Sequence, residues 1–176
     1  IGGFAEKYSN QVKSLSFIAP AGFGKVQTSI PFFMKIPGVI EWAMHVLADR
    51  FYGSAISSET AHSNDPLSIN EEEFQQLFSF QMQFKGFRES LASTMRNFNL
   101  FDAREMFEKV AAKNIPSIAI WGDNDGIVSY KGAETYSEIF HEGKVITIED
   151  GTHDITYRQP SDVLEAIKIF LASQIS

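Results

Sequence analysis

Short apolar runs alternate along this chain with longer stretches in which apolar positions recur three and four residues apart. Three runs have the length and content of buried strands: 12–20 (VKSLSFIAP), 115–121 (IPSIAIW) and 144–149 (KVITIE). The second and third are rich in isoleucine and valine, and each gives way at once to a polar turn containing glycine, the pattern expected at the end of a strand. Between them, 130–140 reads as a helix. After the third run, Val163, Leu164, Ile167, Phe170 and Leu171 fall at helical spacing behind Pro160, a residue suited to a first helical turn. A helix over 160–176 is therefore expected. Strand–helix–strand–helix in this order builds a parallel sheet through right-handed crossovers, so the chain ends as an α/β fold.

The middle of the chain carries no strand pattern from Phe23 to about Asn99. The stretch 36–47 is apolar on more than one face, with Trp42 and Met44 among its large side chains. Ser68-Ile69-Asn70-Glu71 has serine and glutamate three apart, a capping box that opens a helix running to about Gln83. Further helices are expected over 89–98 and 102–112, and 52–69, rich in Gly, Ser, Thr and Asn, reads as a loop. The chain thus divides into a core of residues 1–23 and 101–176 and a helical cap inserted over 24–100.

Composition narrows the functional classes. With 176 residues, 44% of them hydrophobic and 13% aromatic, there is material for one buried core. Fifteen basic against 22 acidic residues leave a net charge of −7, a poor match for a phosphate backbone, so no nucleic acid is expected as partner. The absence of cysteine excludes disulfides, thiolate metal sites and a cysteine nucleophile. No membrane span is expected, because Lys35, Glu41 and His45 interrupt the most apolar stretch.

Candidate chemistry concentrates in two segments. Trp121-Gly122-Asp123-Asn124-Asp125-Gly126 places carboxylates just past the carboxyl end of a buried strand, where open α/β sheets put their sites. Glu149-Asp150-Gly151-Thr152-His153-Asp154 places an imidazole just past the next strand. The 28 residues from Asp125 to His153 accommodate one loop, one helix and one strand, so neighbouring parallel strands bring a carboxylate and an imidazole together. That is the orienting half of a nucleophile–His–acid device. A calcium loop starting at Asp123 fails on spacing, since Val128 stands where the sixth-position glycine is required. No metal and no cofactor are expected. His45, His62 and His141 show no partner pattern, Asp154 reads as a solvated loop carboxylate, and Arg88 and Arg96 read as helix-surface charges.

These residues resemble the α/β-hydrolase superfamily, in particular its cap-bearing serine esterases and C–C bond hydrolases. Trp121-Gly122-Asp123-Asn124-Asp125 resembles the G-x-x-D acid turn, and Asp150-Gly151-Thr152-His153 resembles a variant of the G-x-G-H histidine turn, with Asp150 and Thr152 where glycines are usual. The resemblance implies Asp125 as the triad acid, in preference to Asp123, and His153 as the base. Ile1-Gly2-Gly3-Phe4-Ala5 is similar to the stretch directly after the nucleophile in the elbow G-x-S-x-G. It implies Ile1 as an oxyanion-hole residue, Gly2 and Gly3 as elbow residues, and a serine directly before Ile1. Isoleucine at that place favours serine over the aspartate nucleophiles of related branches, where tryptophan is usual. The implied fold is the C-terminal part of an α/β-hydrolase sheet, inactive without its nucleophile-bearing half. The implied activity is hydrolysis of a small apolar carboxylic ester or related acyl substrate. Alternatives are a C–C bond (meta-cleavage-type) or other non-ester hydrolase, and a non-catalytic hydrolase-like binding protein. The first strand is expected to present an unpaired edge, to be covered by the N-terminal half of the same protein or by a second copy.

Overall fold

Alternation within each strand decides what the two faces of the sheet pack against. In the computed structural model, residues 1–24, 64–97 and 102–174 are described, together with Ile36, Gly38, Val39, Trp42, Ala43 and Val46. Strands β1 (Leu15–Ile18), β2 (Ser117–Gly122) and β3 (Lys144–Ile148) form a parallel sheet in the order β1-β2-β3. Leu15 pairs with Ser117 and Ile18 with Ile120, while Ile118 pairs with Lys144 and Gly122 with Ile148. Leu15, Phe17, Ala119 and Trp121 therefore face one side, and Ile118, Ile120 and Ile148 the other, each set within its own buried cluster.

Helix α1 (Gly2–Lys7) precedes β1. Between β1 and β2 lie α2 (Glu71–Gln81), α3 (Phe87–Asn97) and α4 (Arg104–Ala111). Helix α5 (Gly132–Ile139) crosses from β2 to β3, and after β3 come the single turn α6 (Ile155–Arg158) and α7 (Pro160–Ser173). Ala5 of α1, Phe107 and Val110 of α4, and Ala133, Tyr136 and Ile139 of α5 bury the first face of the sheet. Ile155 of α6 and Val163, Ala166 and Phe170 of α7 bury the second. Phe23 stacks on Phe107 at 4.0 Å between ring centroids and meets Phe17, Trp121 and Tyr136 edge-on, so aromatic area dominates the first cluster.

Each expected strand is present but shorter than its apolar run. β2 begins at Ser117 because Pro116 has no N–H to place in the ladder, although its carbonyl accepts from Leu15 N–H at 2.9 Å. The capping box lies two residues downstream of its expected place. Asn70, not Ser68, caps α2: its side chain accepts from Glu73 N–H at 2.9 Å, and Glu73 accepts from Asn70 N–H at 2.9 Å. Glu71, the expected partner of Ser68, is instead engaged by Arg158. Among the described residues of 24–97 there is no strand. The chain on either side of 24–100 meets where Phe23 and Asp102 form an antiparallel bridge and Ala103 N–H donates to Gly22 O at 2.8 Å. His45, His62, half of the expected 36–47 helix and the greater part of the 52–69 loop lie outside the described residues. β1 is an edge of the described sheet, with β2 on one side and no described strand on the other. No described helix is long and apolar enough to cross a membrane.

One buried polar pair makes a stability prediction. Ser117 Oγ and the Tyr136 hydroxyl share a 2.7 Å hydrogen bond inside the core. Burial pushes the Tyr136 phenol up to about 12 from 10.0, an effect only partly offset by the Ser117 hydrogen bond. Below pH 10 the phenol keeps its proton in folded and unfolded chains alike. Between pH 10 and about 12 only the unfolded chain ionises, so stability falls across that window by about 2–3 kcal/mol. Urea unfolding midpoints at pH 9 and pH 11.5 measure the loss, and Tyr136→Phe is expected to remove this part of the pH dependence.

Candidate active site

The acid turn is built around Asp125, three residues beyond β2 at the carboxyl edge of the sheet. Its side chain is fully buried. Oδ1 accepts from Ile127 N–H at 2.9 Å and Val128 N–H at 2.7 Å, so the carboxylate closes its own turn. The turn is braced further on: Trp121 Nε1–H donates to Val128 O at 2.9 Å, and the Tyr130 hydroxyl meets Thr147 Oγ1 of β3 at 2.6 Å.

Oδ2 of the same carboxylate meets His153 Nδ1 at 3.0 Å. A carboxylate only accepts, so the ring proton sits on Nδ1 and, in the neutral imidazole, Nε2 carries the lone pair. The His153 side chain is 34% exposed against 0% for Asp125, an arrangement in which a hidden acid orients a ring that reaches the surface. Such a ring is a base with its tautomer fixed, suited to take a proton from a nucleophile.

Two glycines let the loops carrying these groups approach. A Cβ on Gly122 would run into the Gly151 carbonyl oxygen, and one on Gly151 would lie 2.8 Å from both Gly122 Cα and Ile148 O. The close approach is sealed by backbone bonds: Asn124 N–H donates to Gly151 O at 3.0 Å and Asp123 N–H to Ile148 O at 3.2 Å. Asp150, where the resemblance places glycine, has φ +53°, in the left-handed region that favours glycine and that aspartate tolerates better than most residues. Thr152, the other departure, is buried and its hydroxyl bonds to Asp154 Oδ1.

The structure thus brings together Asp125 and His153. Asp123, the alternative acid, is exposed, and the amides of the turn are taken by Asp125. Asp154 is not the solvated carboxylate expected of it, because Thr152 bonds one oxygen and Arg158 Nε–H the other at 2.9 Å. Arg158 also donates to Glu71 Oε2 at 2.8 Å and Ile69 O at 3.2 Å. Burial lowers its pKa, but Asp154 and Glu71 outweigh that and hold the guanidinium above its usual value. Desolvation likewise raises Asp65, yet hydrogen bonds from Leu67 and Ser161 leave its carboxyl below the usual range.

Ile1 is exposed and caps α1 through its carbonyl, which accepts from Ala5 N–H at 3.0 Å. Gly2 packs on α4, where a Cβ would meet the flexible tip of Met106 and lie 3.2 Å from the Phe107 ring, whereas Gly3 has open space around it. His141 is exposed and lines a groove of about 730 Å³ with Pro116, Gly143 and Lys144, at the amino-terminal ends of β2 and β3 and away from the Asp125–His153 pair. Among the described residues no group of three or more His, Asp or Glu side chains is arranged to hold a metal ion. The role of Arg158 and the Gly122–Gly151 contact are not legible in the sequence. The glycines are visible as turn residues, but nothing local pairs two positions so far apart.

The chain is similar to known proteins over most of its length. The chain is similar to Lipase 3 of Moraxella sp. (strain TA144), at 25% identity over 184 residues that take in 95% of this chain and 50% of that protein. Its structure is similar to that of a thermophilic esterase from Thermogutta terrifontis, with TM-score 0.66 and 17% identity over 99% of this chain and 61% of the other. A bromoperoxidase from Bacillus anthracis is similar too, with TM-score 0.63 and 19% identity over 97% of this chain and 64% of the other. No protein-family model matches the chain. The fold is that of the α/β-hydrolases, and the chain spans about half the length of the curated relative it matches.

Proposed function

We propose that this chain is part of a serine hydrolase acting on carboxylic esters or related acyl substrates, with His153 as general base and Asp125 as the acid that orients it. The observation carrying this reading is the 3.0 Å bond between His153 Nδ1 and Asp125 Oδ2 at the carboxyl edge of adjacent parallel strands. The likeness to proteins named as a lipase and an esterase supports ester hydrolysis as the reaction. The nucleophile is assigned to a serine directly before Ile1. The close packing of Gly2 against α4 supports this, because the helix behind a nucleophile elbow needs a small residue where it packs.

In the proposed reaction the serine Oγ attacks the ester carbonyl and its proton passes to His153 Nε2. The imidazolium so formed is stabilised by Asp125 Oδ2, while the two amides on Oδ1 keep the carboxylate from turning away. The tetrahedral oxyanion is held by Ile1 N–H and one further donor from outside this chain. His153 then gives its proton to the leaving alcohol oxygen as the carbonyl re-forms, and water repeats the cycle on the acyl-enzyme. Residues 24–100 act as the cap over the site. The free edge of β1 is assigned to the N-terminal half of the protein, with a second copy as the alternative occupant.

A panel of p-nitrophenyl esters set against diketones, given to the full-length protein, tests the reading. Ester turnover is expected, and His153→Ala is expected to reduce it by at least about 10³-fold with the fold intact. Undiminished ester turnover in His153→Ala contradicts the reading, and turnover of diketones alone moves it to C–C bond hydrolysis.

A further inference from the structure

His153 is gripped on both flanks by contacts that proton transfer does not itself require. On the amino side Gly151 is pressed against Gly122 and Thr152 is buried. On the carboxyl side Ile155 is fully buried, and Asp154 is fixed through both oxygens, one to Thr152 and one to Arg158. Arg158 closes the single turn α6, and its side chain is only 10% exposed. Its planar fork donates to Asp154 Oδ2 at 2.9 Å, Ile69 O at 3.2 Å and Glu71 Oε2 at 2.8 Å. The last two acceptors belong to the segment where the insertion enters α2, up to 89 residues away in sequence. That segment docks on the same surface elsewhere: Ile69 N–H donates to Tyr157 O at 3.1 Å, the Phe74 ring meets Tyr157 edge-on at 5.1 Å, and Asp65 accepts from Ser161 N–H at 2.8 Å and Ser161 Oγ at 2.9 Å. A guanidinium fork held nearly out of water by charge-assisted bonds has little freedom to accommodate relative movement of its acceptors.

We propose that Arg158 is a positioning residue for the hydrolysis. It locks Asp154, and through Asp154 and Thr152 the turn that carries His153, to the stretch of the insertion running from Asp65 to Glu71. The inference rests on the assignment of His153 as general base. Its consequence is that the insertion does more than cover the site: the stretch of it that docks on Tyr157, Arg158 and Ser161 holds the base in register with Asp125.

The test uses the full-length protein with a short p-nitrophenyl ester, comparing Arg158→Met with the milder Arg158→Lys, which keeps the charge and loses the fork. Arg158→Met is expected to lower kcat by about 10–100-fold with KM within about twofold, since the defect lies in the geometry of the base and not in substrate binding. Arg158→Lys falls between Arg158→Met and the wild type. The downfield proton resonance of His153 Nδ1–H, a signature that a remote packing role leaves alone, broadens in both. Asp154→Asn combined with Arg158→Met is expected to be no worse than the worse single variant, because both break one linkage. Wild-type kcat with the resonance intact, fully multiplicative effects in the double variant, or failure of both Arg158 variants to fold each overturns the proposal, the last by assigning Arg158 to stability alone. His153→Ala in parallel separates the two levels: full activity there rejects the general-base assignment, whereas inactivity there with an unaffected Arg158→Met rejects only the positioning role.

Discussion

Asp125→Asn in the full-length protein is expected to lower kcat for ester hydrolysis by about 10⁴-fold while KM moves by no more than a few-fold. The asparagine oxygen takes over the amides of Ile127 and Val128, which fix one end of the side chain at 2.9 and 2.7 Å. Its amide nitrogen is then left facing His153 Nδ1, where the carboxylate Oδ2 now stands at 3.0 Å. A donor in that place drives the ring proton to Nε2, and the ring no longer accepts a proton from the nucleophile. The loop keeps its shape while the tautomer is wrong, so the loss falls on kcat. Steady-state kinetics on a p-nitrophenyl ester reads it, with circular dichroism and a melting curve to establish that the variant is folded. A loss smaller than tenfold would mean that Asp125 is a turn-forming residue and nothing more.

The second large effect is expected from Gly122→Ala, the addition of one methyl group. The new Cβ is directed into the Gly151 carbonyl, with the Gly151 carbonyl carbon and Cα also in the way. All three obstacles are backbone, so no flexible side chain can step aside. The acid turn and the histidine turn must part, stretching the Asn124 N–H to Gly151 O bond and with it the Asp125–His153 contact. Overpacking of this kind costs about 1–3 kcal/mol of stability. Displacing the base by about an ångström reduces turnover by roughly 10²-fold. Urea unfolding and kcat measured on the same preparation check both halves. An unchanged unfolding midpoint would show that the two loops can separate freely and that their contact does not set the site.

The legibility of each feature in the sequence depends on how local its signal is. The three strands are readable because each lies in a short run rich in apolar and β-branched residues, and such a run needs no knowledge of its partners. Asp125 and His153 are found the same way, each lying a few residues past such a run, where neighbouring strands have to bring them together. The cap of α2 is misplaced by two residues because Ser68 and Asn70 both suit the position, as Glu71 and Glu73 do. The choice between them is made by Arg158, which draws Glu71 away from any capping role. That bond spans 87 residues, and no periodicity encodes it. Asp154 is misjudged for the same reason: its partners are a hydroxyl two residues back and a guanidinium one helical turn on, in a helix too short to show a pattern. The Gly122–Gly151 contact belongs to this group, since each glycine alone reads only as punctuation at a strand end.

In the proposed reaction Asp125 and His153 serve a serine standing directly before Ile1. The most direct test treats the full-length protein with an organophosphonate that labels activated serines and maps the adduct by peptide mass spectrometry. One adduct is expected, on the residue immediately preceding Ile1, and it is lost in His153→Ala. An adduct on another residue, or its undiminished formation in His153→Ala, would contradict it.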